Sequence, residues 1–119
     1  MPTSASKPIL FLLHPEFEDQ ALPGQRFFCK HSLLLEGALA RIEGLRERLV
    51  VEHVDFSRPR HALIEHVGEQ DQSLPKLLLP RGVRSRDADG EYAGRQYVSG
   101  SEHVLSTLNA LWDIPVAHP

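Results

Sequence analysis

The chain has little of what would commit it to an unusual architecture. It holds one cysteine, one methionine and one tryptophan. A single cysteine excludes an internal disulfide, so packing alone must hold the fold, which suits a reducing compartment such as the cytoplasm. The apolar run Ile9 to Leu13 is too short for a membrane span or a secretory signal core. The formal net charge is only −3, which supplies no field that would draw in nucleic acid. The sequence has no internal repeats, no low-complexity tract, no phosphate-binding glycine loop, no G-x-S-x-G elbow and no H-E-x-x-H pair. The most familiar nucleotide-binding, hydrolase and zinc-protease signatures are thereby excluded.

What remains is an ordinary globular composition, 41% hydrophobic and 24% charged over 119 residues. That length makes one domain, large enough to bury a core without staples. A polar stretch, residues 1–7, reads as a leader, and residues 8–119 as the domain.

Pro8 to His14 is continuously apolar and reads as a strand buried on both faces. Residues 15–28 form a long loop with Pro23-Gly24 as a turn. After Cys29, the spacing of Leu35, Ala38, Leu39, Ile42, Leu45 and Leu49 predicts one amphipathic helix. Val50 to Phe56 mixes polar and apolar positions, as a half-exposed strand near a sheet edge does. Ser57-Arg58-Pro59 reads as the start of a second helix with Leu63, Ile64 and Val67 inward and Gly68 as its cap. A strand over 72–80 is bracketed by Pro75 and Pro80. Residues 81–94 read as a connection with Asp89-Gly90 as its turn, and 95–98 as a short strand. Ser99-Gly100-Ser101-Glu102 has the form of a capping box before a helix that buries Val104, Leu105, Leu108, Leu111 and Trp112. The expected fold is therefore α/β in the order βαβαββα: a four-stranded mixed sheet with three helices, its first strands parallel and its last two antiparallel.

This order, with Cys29 after the first strand and Leu74-Pro75 before the third, resembles the thioredoxin and glutaredoxin superfamily. Cys29-Lys30-His31-Ser32 resembles the C-x-x-S site of monothiol glutaredoxins, and Ser73-Leu74-Pro75 the segment that holds a cis-proline facing the thiol. A nearer likeness is to an uncharacterised family of small bacterial thioredoxin-like proteins, a domain of unknown function. It rests on Phe17-Glu18-Asp19, Pro23 to Cys29, Leu35-Glu36-Gly37, Arg58-Pro59-Arg60 and Gln72 to Pro75. Two departures stand out. The loop before Cys29 is longer than in glutaredoxins, and Ser32 replaces a resolving thiol.

The chemistry follows from a thiol at a helix N-terminus, where free N–H groups and the helix dipole favour the thiolate. Ser32 can donate a hydrogen bond to it or serve as a simple helix cap, and Lys30 and His31 can add positive charge, although Lys30 is expected to point to solvent and His31 reads rather as an exposed polar side chain. Without a second cysteine, any disulfide at Cys29 is mixed, with glutathione, another low-molecular-weight thiol or a protein thiol. The resemblance implies that Leu74, before Pro75, pairs with the backbone of bound glutathione. It also implies that the helix start at Ser101 and Glu102 holds the γ-glutamyl carboxylate; a plain structural cap would need the same residues. Arg58, Arg60, Arg81, Arg84 and Arg86 suit either an oxyanion site or, as expected here, a solvated surface balanced by Asp87, Asp89 and Glu91. Seven histidines raise the question of zinc on Cys29, His31 and His14 or Glu16, but the spacing matches no recognised metal pattern and none is expected. Two functions compete: a glutathione-linked redox protein acting through Cys29, and a non-catalytic binding or dimerisation module.

Overall fold

The structure is a computed structural model that describes residues 7–119, so the expected leader lies outside the described residues except for Lys7. The elements are β1 (Ile9–Leu13), α1 (Lys30–Arg41), β2 (Val50–Val54), α2 (His61–Val67), β3 (Lys76–Leu78), β4 (Gly90–Tyr92), β5 (Arg95–Ser99) and α3 (Ser101–Trp112), with one 3-10 turn at Arg46–Arg48. The fold is α/β as expected, but the open mixed sheet has five strands, in the order β2-β1-β3-β5-β4. β1 runs parallel to β2 and antiparallel to β3, and β5 runs antiparallel to both β3 and β4.

The extra strand is the main correction. Gly90 is not in a turn: it starts β4 opposite Tyr97 of β5. A Cβ at Gly90 would overlap the Tyr97 hydroxyl, so glycine here makes room for an aromatic ring across the ladder. The turn falls later, at Ala93 and Gly94, both at positive φ (51° and 83°) as tight hairpin turns require.

The helix after Cys29 is also shorter than the leucine spacing implies. It ends at Arg41 because Ile42 turns extended (ψ 114°) and Gly44 adopts φ +80°. Leu45 and Leu49 are buried nonetheless, carried into the core by the 3-10 turn. The second helix starts at His61 rather than at Ser57, after a cis Arg58-Pro59 peptide. The capping box does not form: Gly100 is the N-cap of α3, without a side-chain cap, and the Ser99 hydroxyl is bonded elsewhere.

Strand alternation splits the core in two. Leu10 and Leu12 of β1, Leu77 of β3 and Val98 of β5 face α1 and α3, where Leu35, Leu39, Val104 and Leu108 meet them. Phe11, Leu78 and Tyr97 face the other way, against Leu63 and Val67 of α2. β2 lies at a sheet edge, as its mixed polarity predicts, with Val50 42% exposed. Among the described residues no helix is long and apolar enough to cross a membrane.

Candidate functional site

The sheet delivers its candidate chemistry to one end, where β1 stops, α1 begins, and the loop before β3 crosses. Cys29 is the N-cap of α1, in extended conformation, and its sulfur accepts the Ser32 backbone N–H at 3.4 Å. That N–H is one of the four that an α-helix leaves without an internal partner, so the thiol takes the place a capping oxygen usually fills. Cys29 is partly exposed, neither packed in the core nor fully in solvent.

Ser32 contributes through its backbone. Its side chain is buried, and the hydroxyl accepts the Leu13 N–H at 3.2 Å, which ties the first turn of α1 to the end of β1. His31 is exposed and its Nδ1 lies 3.5 Å from the buried Ser101 hydroxyl, so it joins the starts of α1 and α3. Glu102, in the first turn of α3, is exposed. Lys30 is exposed as well.

The Leu74-Pro75 peptide is cis. Pro75 is buried, and its carbonyl accepts the N–H of Gly100, which anchors the turn to the cap of α3. Among the described residues neither the N–H nor the C=O of Leu74 has a hydrogen-bond partner. Its backbone is therefore available to an extended ligand.

Arg60 departs most from expectation. Of the five arginines marked as solvated surface, this one is buried, at 6% exposed. Its Nε and one terminal nitrogen donate to the Phe56 carbonyl (3.0 and 2.7 Å), and the other donates to the Gln72 carbonyl at 2.6 Å. Its plane lies over the Phe56 ring, 5.6 Å from the centroid. The Gln72 side chain returns the contact by accepting the Arg60 backbone N–H at 2.9 Å. Arg60 therefore braces the Gln72-to-Pro75 segment from the side of α2. Burial pushes its guanidinium below the ordinary range and neighbouring Arg58 pushes it further, while negative charge on Cys29 opposes both. All its hydrogen-bond acceptors are neutral backbone carbonyls. Arg84, by contrast, pairs with Glu91 at 2.9 Å on the surface as expected.

Beside Pro75 lies a second buried cation, which sequence reading missed. Lys76 has no solvent exposure. Its ammonium donates to the hydroxyls of Ser99 (2.5 Å) and Ser73 (3.4 Å) and pairs with Asp71 at 3.2 Å. It also lies 4.8 Å from the centroid of the Tyr97 ring. Burial lowers its pKa, and the charges of Asp71 and Asp89 only partly offset that. Burial raises the Asp71 carboxyl, but hydrogen bonds from Ser73 and the charge of Lys76 outweigh it and leave the group below its usual range. The signal was present: a lysine at the first position of an otherwise apolar strand cannot face solvent if both faces are covered.

The candidate zinc ligands do not converge: among the described residues no three His, Cys, Asp or Glu side chains come together as a metal group would need. His14 approaches Asp55 (3.4 Å), and His53 bonds Glu36 (2.7 Å).

A family model described as a protein of unknown function, DUF3088, matches residues 7–116. No curated protein and no solved structure matches the chain.

Proposed function

Since the chain belongs to DUF3088, a family whose function is unknown, its chemistry has to be read from its own side chains, and we propose that it is a thioredoxin-like monothiol protein that exchanges disulfides through Cys29. The observation that carries this reading is the partly exposed sulfur at the N-cap of α1, within reach of one backbone N–H. A helix N-terminus is where an anionic sulfur, the form that attacks, is best accommodated.

In this reading the Cys29 thiolate attacks one sulfur of a disulfide. A mixed disulfide forms, and the other half leaves as a thiolate that takes up a proton. A second external thiol then attacks the mixed disulfide, and Cys29 is released reduced. The external thiol is glutathione or another low-molecular-weight thiol, and the reaction belongs in a reducing compartment such as the cytoplasm. The unpaired Leu74 backbone beside the cis peptide would pair with the ligand main chain, while Ser101 and Glu102 at the start of α3 and the nearby His31 would meet its polar end. Ser32 would serve by its N–H and by fixing α1 to β1.

The test is incubation of the full chain with oxidised glutathione, read by intact mass. The expected result is one glutathionyl adduct, absent from Cys29→Ser. Absence of an adduct, together with an alkylation rate equal to that of free cysteine at the same pH, would overturn the redox reading.

One observation favours the alternative of a binding or dimerisation module. Leu22, Phe28, Leu33 and Leu34, all close to Cys29 in sequence, are about half exposed (48–60%). Sedimentation of Phe28→Glu against the parent checks it: a parent dimer that the substitution splits supports the module, and a monomer in both removes the dimer form of it.

A further inference from the structure

A cavity of about 500 Å³ opens on the side of the sheet away from α1, between the C-terminal end of α2 and β4. Its walls are Ile64 and Val67 of α2, the turn Gly68-Glu69-Gln70, Glu91 and Tyr92 of β4 and Tyr97 of β5. The volume falls within the range of small-molecule sites, about 300–1,000 Å³.

Two close aromatic approaches shape it. The Tyr92 ring lies so near Gly68 that an added Cβ would sit 2.9 Å from Cδ1, and Tyr97 crosses Gly90. Tyr97 is only 8% exposed, yet its hydroxyl makes no hydrogen bond among the described residues. No fully enclosed polar side-chain atom lacks a partner, so this hydroxyl reaches solvent, and the cavity that Tyr97 lines is the opening beside it. A hydroxyl without a protein partner, on a residue that lines a cavity and is otherwise nine-tenths buried, is an open position for a ligand atom.

The lining also states a charge preference. No lysine, arginine or histidine is part of it. Lys76 stands against the Tyr97 ring, fully buried and engaged by Asp71 and the two serines. The Glu91 carboxylate turns to Arg84. The remaining lining includes Glu69, Gln70 and the two tyrosines, beside the C-terminal end of α2, and a carboxylate, a tyrosine oxygen, an aromatic face and a helix C-terminus each attract an N–H donor or a cation.

From this arrangement we propose that the cavity binds a small organic ammonium compound, its hydrocarbon part on Ile64, Val67 and the Tyr92 ring, its N–H donors on the Tyr97 hydroxyl and Glu69. The site is independent of Cys29 and of the redox reading.

The probes are benzylammonium, benzyl alcohol and benzoate, which share a ring and differ in charge, titrated into the full chain and followed by amide and tyrosine-ring NMR shifts. Benzylammonium is expected to bind saturably in the millimolar range, with shifts confined to residues 64–70 and 90–97, and equally in Cys29→Ser. Tyr97→Phe should weaken it about tenfold or more, the loss of one hydrogen bond from a charged donor, and Glu69→Gln should weaken it further. An Ile64→Trp variant that fills the cavity should abolish the shifts while keeping a native amide spectrum. Equal binding of benzyl alcohol, preference for benzoate, no saturable shift, or an unchanged affinity in Tyr97→Phe would each overturn the proposal.

Discussion

The two faces of the sheet differ in thickness and in content. On one side α1 and α3, twelve residues each, cover Leu10, Leu12, Leu77 and Val98 with further aliphatic side chains and, among the described residues, no buried charge. On the other a single seven-residue helix, α2, covers Phe11, Leu78 and Tyr97, and there the chain buries Lys76 and, at the start of the helix, Arg60. A short helix cannot cover a five-stranded sheet, so loops complete this layer. Loops bring backbone carbonyls and polar side chains, such as Phe56, Gln72 and Ser73, that can solvate a buried cation. The thick face holds the domain together, and the thin face carries the charges that surround the Pro75 turn.

Three experiments can break or sharpen this contrast. The largest effect is expected from Lys76→Glu, which sets a buried carboxylate beside Asp71 and Asp89; a loss above about 4 kcal/mol, or failure to fold, should result. Lys76→Met, which keeps the volume and drops the charge, should cost far less. If urea denaturation found both variants equally damaging, the buried charge would not be what distinguishes this face. Next is Leu108→Ala on the thick face, which should cost about 3 kcal/mol. Its Cys29 alkylation rate should stay at the parental value, since it touches only the aliphatic layer; a changed rate would mean the faces are coupled.

The smallest effect is acid sensitivity from Asp71. Its folded-state pKa lies below that of the unfolded chain. The stability it supplies is therefore present above about pH 4, the unfolded carboxylate value, and is lost as pH falls through the folded value. Asp71→Asn should be less stable at neutral pH and lose less on acidification. A parent and variant with parallel stability curves from neutral pH down to the acid limb would remove Asp71 from the account.

Much of this was legible in the residues. The uninterrupted apolar run Ile9 to Leu13 marked β1 as central, because a strand covered on both sides needs no polar alternation. Cys29 was rightly set at a helix start, and Gly68 at a helix end. β4 was not legible, since Gly90 has low strand propensity and only the ring of Tyr97 across the ladder explains it. The break after Arg41 was hidden for a related reason: helix spacing and a 3-10 turn bury the same leucines, and periodicity cannot tell them apart.

The sequence by itself determined the α/β class, the order of the principal elements and the position of a lone thiol, because these depend on local patterns within one segment. Only the tertiary structure decided that Arg60 is buried against the Gln72 carbonyl, that Ser99 serves Lys76 rather than a helix cap, and that two tyrosines border a cavity with α2. Each of those depends on residues more than ten positions apart meeting in the fold, where the desolvation of a charge or the absence of a Cβ is settled by the partner and not by the segment that carries it.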